Sequence, residues 1–355
     1  MALSIGIVGL PNVGKSTLFN ALTDNNVLAA NYPFATIEPN TGIVPIPDPR
    51  LQKLASIYKT ERIIPATVTF VDIAGLVAGA SQGEGLGNQF LAHIRSCNAI
   101  CQVVRAFSDS NVADSGSSDP KKDIEIINTE LALADLQTIE RRLPKLEKEA
   151  KADPKLKPVL ESLQKAKELL SSGAKLNDEV DLKGLSDLQL LSAKPVIYAF
   201  NVDEESLKNS EYQDQLSQLV APSATLFLCA KLESELRGLD QADQAELLAS
   251  YGQKESSLDQ LAHAAYQTLG LQSYLTAGEK EVRAWTIPAG ATAPQAAGVI
   301  HGDFERGFIA AQIVDYKDLI SFGSLAAARA AGKVRTEGKD YAMQPDDVVE
   351  FRFNV

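Results

Sequence analysis

The chain has 355 residues, a formal net charge of −12 and a hydrophobic content of 45%. This length allows two or three domains with sizeable cores, and the composition is that of an ordinary soluble globular protein. No apolar run approaches the length that spans a membrane, and three scattered cysteines exclude a disulfide framework or a zinc site. We therefore expect a cytoplasmic monomer with reduced thiols and no membrane partner.

The first predicted element is a buried strand from Leu3 to Val8, which leads into Gly9-Leu-Pro-Asn-Val-Gly-Lys-Ser16 and then the start of a helix. A strand, a glycine-rich loop and a helix in this order form a P-loop, whose amides and helix N-terminus face nucleotide phosphates. Lys15 is expected to reach the phosphate oxygens, and the Ser16 hydroxyl is expected to ligate Mg²⁺. The motif predicts a nucleoside triphosphate site whose phosphate-binding residues are Asn12, Val13, Gly14, Lys15, Ser16 and Thr17.

Two later motifs narrow the class of P-loop protein. The turn-rich segment 31–40 contains Thr36, which is suited to cap Mg²⁺ once the γ-phosphate is present. A predicted strand over 66–71 ends in an Asp-x-x-Gly motif. There Asp72 would hold Mg²⁺ through water, and the Gly75 amide would sense the γ-phosphate. The three motifs in this order are typical of nucleotide switches and exclude most other P-loop proteins.

After a further predicted strand over 99–104, the apolar pattern changes to helical spacing. Apolar residues recur at three- and four-residue steps from Ile124 to Leu146, and again from Val159 to Leu170 after a proline-containing break. This spacing predicts an antiparallel helical hairpin. The hairpin region 121–194 carries 14 basic and 14 acidic residues, so the net negative charge lies mainly in the nucleotide-binding part.

Base recognition is expected after the next buried strand, where GTPases carry Asn-Lys-x-Asp and this chain carries Asn201-Val-Asp-Glu204. In the usual motif the aspartate accepts hydrogen bonds from guanine N1–H and the 2-amino group. Val202 cannot supply the lysine contacts, and Glu204 is one methylene longer than aspartate. A carboxylate held at the guanine distance would repel adenine, whereas a Glu204 turned away would leave a neutral site that favours adenine. The spacing leaves both alternatives open.

A Cys-Ala-Lys run follows the strand predicted over 224–229 and matches the Ser-Ala-Lys loop that packs near the base in GTPases. The predicted base-binding residues are therefore Asn201, Val202, Glu204, Cys229 and Ala230.

The C-terminal region has a third pattern, with predicted strands Val282–Ile287 and Val348–Phe353 and an alanine-rich helix between them. This mixture predicts a small α+β domain. Because apolar strands return after the helical hairpin, we predict that the hairpin is inserted into one α/β domain. The predicted division is 1–120 and 195–277 for the α/β domain, 121–194 for the insertion and 278–355 for the C-terminal domain.

Six further runs accompany the P-loop: Asn31–Phe34, Thr36–Gly42, Asp72–Val77, Gly83–Gln89, Ile127–Asp135 and Val282–Gly298. In these runs, over essentially its whole length, the chain resembles the YchF subfamily of Obg-like P-loop ATPases. The resemblance implies a Ras-like G domain with a mostly parallel sheet, an inserted helical hairpin and a C-terminal TGS domain of β-grasp type. It also implies that ATP is bound in preference to GTP or alongside it, and that the chain associates with ribosomes in translation or stress responses.

The chain departs from Ras-type switches directly after Gly75, where a glutamine would orient the attacking water and this chain has Leu76. An apolar side chain cannot orient water. Hydrolysis must then draw on a backbone group, on a residue from a partner, or on K⁺ beside Asn12, the P-loop asparagine found in related potassium-using proteins. We therefore expect slow intrinsic hydrolysis with nucleotide-dependent switching.

Members of the resembled family can carry a histidine in the loop after the strand at 99–104, but here the loop 107–119 contains none. Asp109 and Asp114 are weak candidates to replace it. His93 follows the switch region on a predicted helix and is better explained as a structural residue.

The first helix of the predicted hairpin carries a basic cluster, Arg141, Arg142, Lys145 and Lys148. Positions 141, 145 and 148 share one helix face. One interpretation is a solvated surface interleaved with glutamates. The other is contact with ribosomal RNA phosphates, which would be strongly salt-sensitive.

The sequence thus favours a Mg²⁺-dependent switch that hydrolyses ATP on the ribosome (70S or its 50S subunit). Two alternatives remain open: a GTP-specific translation factor, and a nucleotide-gated binding module whose hydrolysis is incidental. The Asn201–Glu204 motif bears on the first alternative and Leu76 on the second, but neither decides it.

Overall fold

The computed structural model describes residues 3–24, 41–73, 86–107, 119–236 and 238–354. The chain forms two compact units, one of Met1–Gly42 with Thr69–Leu261 and one of Ile43–Val68 with Ala262–Val355. Within the described ranges, no helix has both the length and the apolar character needed to cross a membrane.

The helices and strands follow one another along the chain in two groups. Up to the end of the first sheet they are β1 (Ser4–Val8), α1 (Lys15–Asp24), β2 (Thr41–Pro45), α2 (Pro49–Tyr58), β3 (Ile63–Ile64), β4 (Thr67–Asp72), α3 (Leu86–Ser96), β5 (Ala99–Ala106), α4 (Pro120–Ala152), α5 (Lys157–Ser171), β6 (Val196–Val202), α6 (Ser210–Gln218) and β7 (Ala224–Leu228). The later elements are α7 (Ala230–Glu235), α8 (Gln241–Ser250), α9 (Ser257–Thr268), β8 (Leu271–Ala277), β9 (Val282–Pro288), α10 (Ala293–Ile300), α11 (Gly302–Arg306), β10 (Phe308–Asp315), α12 (Tyr316–Phe322), α13 (Leu325–Ala330), β11 (Arg335–Glu337) and β12 (Asp347–Phe353).

The first unit is an α/β fold around a six-stranded sheet in the order β2-β4-β1-β5-β6-β7. Strand β1 pairs in parallel with β4 and β5, and β5, β6 and β7 continue the parallel pairing. The central strands β1, β5 and β6 are almost continuously buried, as expected for a parallel sheet covered on both faces. Because parallel strands end at the same edge, the carboxyl ends of β1, β4, β5, β6 and β7 lie along one edge of the sheet.

The predicted helical hairpin is present, and its first helix also packs on the sheet. Near its start, α4 buries Ile124 in a core cluster that includes Phe200 of β6. Farther along, Ile139 packs in a separate cluster with Leu163 of α5. A short 3₁₀ turn at Pro154–Leu156 separates the two helices. The 33-residue helix α4 is therefore both the crossover from β5 and one arm of the hairpin.

A buried carboxylate joins α4 to the segment before β6. Asp135 is fully buried, and its two oxygens accept hydrogen bonds from the Leu191 amide (2.8 Å), the Ser192 amide (2.8 Å) and the Ser192 hydroxyl (2.6 Å). Three donors satisfy a charge that would otherwise be costly to bury. The base of the hairpin is thereby held to the α/β core.

The second unit is an α+β fold around a sheet in the order β11-β10-β12-β8-β9-β3. Strand β12 is antiparallel to β10 and parallel to β8, and β8 is antiparallel to β9. Helix α10 packs against β9 and β10, and Ala296 of this helix shares a core cluster with Tyr274, Ile287 and Ile313. A helix packed on a mixed sheet agrees with the β-grasp type that we expected for the C-terminal domain.

The structure corrects two of the predicted domain limits. We expected residues up to 277 to belong to the α/β domain, but β8 pairs with β9 over Leu271–Ala277 in the second sheet. We also expected 43–68 to belong to the α/β domain, but β3 pairs with β9, and α2 buries Leu51 and Leu54 and packs against β8 and β9. Local sequence patterns predict the type of an element and not the sheet it joins. The remaining limits stay predictions.

We expect Asp135→Ala to lower the free energy of unfolding by about 3 kcal/mol, because it leaves the buried amides of residues 191 and 192 without an acceptor. Urea denaturation monitored by circular dichroism measures the loss. The control is Asp153→Ala, which removes an exposed cap on the Lys155 amide and should cost about 1 kcal/mol or less. Equal effects of the two substitutions would contradict the role given to Asp135.

Candidate nucleotide-binding site

The loop between β1 and α1 has the backbone conformation that a phosphate-binding loop requires. Asn12 has a φ of 64° and Gly14 a φ of 92°, in the left-handed region that glycine tolerates best. A Cβ atom on Gly14 would lie 2.4 Å from Asn201 Nδ2. Both the conformation and the space at position 14 therefore demand glycine.

Two residues predicted from separate motifs meet beside this loop. Lys15, the first residue of α1, is 9% exposed, and its Nζ forms an ion pair with Asp72 Oδ1 at the end of β4. Ser16 and Thr17 follow Lys15 and are exposed. The P-loop lysine and the Asp-x-x-Gly aspartate are thus in direct contact at the carboxyl edge of the sheet.

The oxygen donors at this point fit Mg²⁺. The Ser16 hydroxyl and the Asp72 carboxylate are hard ligands of the kind that Mg²⁺ prefers, and Mg²⁺ keeps several of its own waters and phosphate ligands. Across the described ranges there is no group of three or more His, Cys, Asp or Glu side chains that could hold a metal without such help. Thr36 and Gly75, the other two predicted switch residues, lie outside the described residues.

Asn201 connects the phosphate loop to the loop after β7. Its Nδ2 donates to the Val13 carbonyl oxygen (3.0 Å), and its Oδ1 accepts from the Ala230 amide (3.2 Å). The side chain is buried, with 4% of its surface exposed. Two predicted parts of the site are therefore held together by one amide side chain.

A cleft of about 720 Å³ opens between these loops. Eight predicted residues line it: Asn12, Gly14, Thr17, Asn201, Val202, Glu204, Cys229 and Ala230. Val202 and Cys229 belong to the core cluster that contains Phe200, so they form part of the apolar wall of the cleft. Polar contacts with a ligand would come from other residues.

Four residues that line the cleft were not predicted as site residues: Phe107, Asp203, Glu205 and Lys231. Phe107 directly follows β5, and the Arg105 guanidinium lies 4.8 Å from its ring centroid. Its place at the end of a parallel strand was the signal that could have identified it. Asp203 and Lys231 lie inside or beside motifs that had been recognised.

Glu204 is engaged by two other side chains. Its Oε1 lies 2.6 Å from Lys231 Nζ, and its Oε2 accepts a hydrogen bond from the Tyr251 hydroxyl (3.3 Å). The hydrogen bond from the Lys231 ammonium lowers the pKa of Glu204, so the carboxylate is ionised at neutral pH. Glu204, which replaces the usual aspartate, thus binds the Lys231 ammonium with one oxygen and the Tyr251 hydroxyl with the other.

The basic cluster lies on α4. Both terminal nitrogens of Arg142 bond to Glu149, at 3.0 Å and 2.7 Å, and Arg141 Nε donates to the Gln137 carbonyl oxygen (3.0 Å). Lys145 and Lys148 are exposed. Glu149 therefore forms an ion pair with Arg142, one of the four predicted basic residues.

The remaining candidates for hydrolysis do not meet at the cleft in the described part of the chain. His93 is exposed on α3 and is not among the described residues that line the cleft. Leu76, Asp109 and Asp114 lie outside the described residues.

Two protein-family models match parts of this chain. A family model described as a 50S ribosome-binding GTPase matches residues 4–149, and the YchF-GTPase_C model, described as a protein of unknown function, matches residues 271–354. Proteins named ribosome-binding ATPase YchF from Haemophilus influenzae and Bacillus subtilis are 50% and 49% identical to this chain, with 100% of both chains covered in each comparison.

Solved structures extend the comparison to the fold. The structure of the Schizosaccharomyces pombe YchF GTPase is 38% identical, covers 99% of this chain and 97% of its own, and has a TM-score of 0.83. A GTP-binding protein from Pyrococcus horikoshii is 20% identical, with a TM-score of 0.61 over 99% of this chain and 100% of its own, and shares the fold. With about half of its residues identical to those of its bacterial relatives over the full length, the chain belongs to the YchF family.

Proposed function

We propose that this chain is a Mg²⁺-dependent P-loop ATPase that switches with its nucleotide state and acts on the ribosome. The observation that carries the proposal is the cleft at the carboxyl edge of the parallel sheet. There Lys15 pairs with Asp72, and Asn201 bonds both to the P-loop and to the Ala230 loop. Proteins named ribosome-binding ATPase YchF, half identical over their whole length, support the same conclusion.

The phosphate end of the cleft is formed by the P-loop. Its amides and Lys15 bind the β- and γ-phosphates, and Ser16, Thr36 and Asp72 hold Mg²⁺, the last of them through water. When bound, Mg²⁺ neutralises charge that develops on the phosphates during transfer. Asn12 in the same loop is the candidate ligand for K⁺.

The base end of the cleft favours adenine. Asn201 uses one amide N–H and one oxygen lone pair in its bonds to Val13 and Ala230, which leaves one donor and one acceptor. That remaining pair matches adenine, whose N7 accepts and whose N6 donates, and does not match guanine, whose N7 and O6 both accept. The relatives divide in their names between ATPase and GTPase, and this chemistry supports the former.

Hydrolysis is expected to be slow. Leu76 cannot orient the attacking water, and we propose that a backbone group, K⁺ beside Asn12 or a ribosomal component supplies what the side chain lacks. A slow intrinsic rate suits a switch, since the partner then decides when the triphosphate state ends.

The ribosome is the proposed partner, and α4 offers a surface for it. Arg141, Lys145 and Lys148 share one face of this helix, and the two lysines extend into solvent. Arg142 contributes less, because Glu149 occupies its guanidinium. Phosphates of ribosomal RNA are the matching ligand for three cations on one helix face.

Lys15→Ala should abolish triphosphate binding, because Lys15 is the cationic side chain of the P-loop. Isothermal titration of ATP and of GTP in Mg²⁺, with and without K⁺, measures the loss against the wild type. Lys53→Ala, an exposed lysine on α2, is the matched control and should bind as the wild type does. ATP binding of unchanged affinity in Lys15→Ala would contradict the site.

The same titrations of the wild type test the base preference. A wild type that binds GTP ten or more times tighter than ATP, a difference of roughly 1.4 kcal/mol in binding free energy, would favour the GTP-specific alternative.

Removing two charges from α4 should weaken ribosome binding. We expect Lys145→Ala with Lys148→Ala to lower the affinity for purified ribosomes and to reduce the slope of log affinity against log salt by about 1 to 2. Co-sedimentation over a range of KCl concentrations measures both. Lys121→Ala with Lys122→Ala, at the start of the same helix, is the matched control. Equal losses in the two double variants would reject the proposed surface.

A further inference from the structure

Two further side chains contact the last residue of the Asn201–Glu204 motif. The Glu204 carboxylate has a separate partner for each oxygen, Lys231 Nζ at 2.6 Å from Oε1 and the Tyr251 hydroxyl at 3.3 Å from Oε2. Lys231 lines the cleft, whereas Tyr251, the residue after α8, is not among the described residues that line it. The carboxylate is therefore held at one oxygen by a residue of the cleft lining and at the other by a residue outside that lining.

Tyr251 is itself fixed in place. Lys208 Nζ lies 4.8 Å from the centroid of its ring, in a cation–π contact. The ring also packs against the core cluster that contains Val202 and Leu248. Lys208 ends the short 3₁₀ turn that begins two residues after Glu204. Tyr251 thus contacts both the turn that follows the base motif and the core cluster at the end of α8, and it stays partly exposed.

This arrangement has opposite consequences for the two purine bases. Guanine offers N1–H and 2-amino donors, which a carboxylate accepts by turning both of its oxygens toward the base. Each Glu204 oxygen keeps a further lone pair, but Lys231 and Tyr251 fix the direction in which the carboxylate faces. Adenine offers an acceptor at N1, and a bare carboxylate nearby would repel it. A carboxylate whose orientation is set by an ammonium and a hydroxyl is a poorer acceptor for guanine, and the ammonium lessens its repulsion of adenine N1.

We propose that Tyr251 and Lys231 are positioning residues that set the preference for ATP over GTP by holding the Glu204 carboxylate away from the base. The inference rests on the proposed function, because it explains why the cleft prefers adenine. Part of the base specificity then depends on Tyr251, which follows α8 and lies far from the base motif in sequence. Substitutions at Tyr251 and Lys231 should therefore shift the preference from ATP toward GTP while the Asn201–Glu204 motif stays unchanged.

The test uses the full-length chain and measures the dissociation constants of Mg·ATP and Mg·GTP by isothermal titration calorimetry. We expect Tyr251→Phe with Lys231→Met to lower the ratio of the GTP constant to the ATP constant at least about fivefold, or roughly 1 kcal/mol. Both substitutions keep the bulk of the side chain, and phenylalanine keeps the ring that contacts Lys208. Tyr251→Phe alone should give a smaller shift in the same direction.

Two controls separate positioning from a structural effect. In a Glu204→Gln background the same double substitution should leave the ratio unchanged, because no carboxylate remains to be released. Tyr212→Phe removes another tyrosine hydroxyl beside the same core cluster, one that donates to the Ala106 carbonyl oxygen (3.4 Å), and should also leave the ratio unchanged. Lys231→Arg restores a cation at this position and should retain the preference for ATP.

The outcomes distinguish the inference from the function it rests on. A wild type that prefers ATP, with a ratio that moves less than about twofold in the double variant, overturns the positioning role and leaves the ATPase proposal intact. An equal shift in the Glu204→Gln background also overturns it, since the effect would then not pass through the carboxylate. A wild type that prefers GTP overturns the adenine-binding proposal itself.

Discussion

The nucleotide cleft depends on one buried amide. Asn201, at the carboxyl end of β6, donates to the Val13 carbonyl oxygen and accepts from the Ala230 amide. These two bonds join the loop after β1 to the loop after β7, the strand at one edge of the sheet. They also bring Asn201 so close to Gly14 that no side chain fits there. The conformation of the phosphate loop and the position of the base wall are therefore set by the same residue.

Two charge pairs belong to the candidate site. Lys15 of the P-loop pairs with Asp72, and Lys231 in the wall of the cleft pairs with Glu204. The two pairs have different roles in our proposal: Lys15 turns to the phosphate oxygens when a triphosphate binds, whereas Lys231 stays paired with Glu204.

The sequence predicted what depends on neighbouring residues and missed what depends on tertiary packing. The first apolar run predicted β1 to within one residue of its observed start, and the P-loop and Asn201–Glu204 motifs named residues that the structure gathers in one cleft. Tyr251 could not be predicted, because its role arises only where the end of α8 meets a turn 47 positions earlier. Likewise, β8 was assigned to the wrong domain because a strand carries no local mark of its partner. The sequence indicates glutamates among the basic residues of α4, but the bonds from both terminal nitrogens of Arg142 to Glu149 depend on helix geometry.

The most direct test of this account is a crystal structure of the chain with Mg²⁺ and a non-hydrolysable ATP analogue. We expect adenine to lie in the cleft within hydrogen-bond distance of Asn201, the γ-phosphate to lie beside Lys15 and Ser16, and Glu204 to stay bonded to Lys231. An adenine ring outside the cleft, or one with no contact to Asn201, would contradict it.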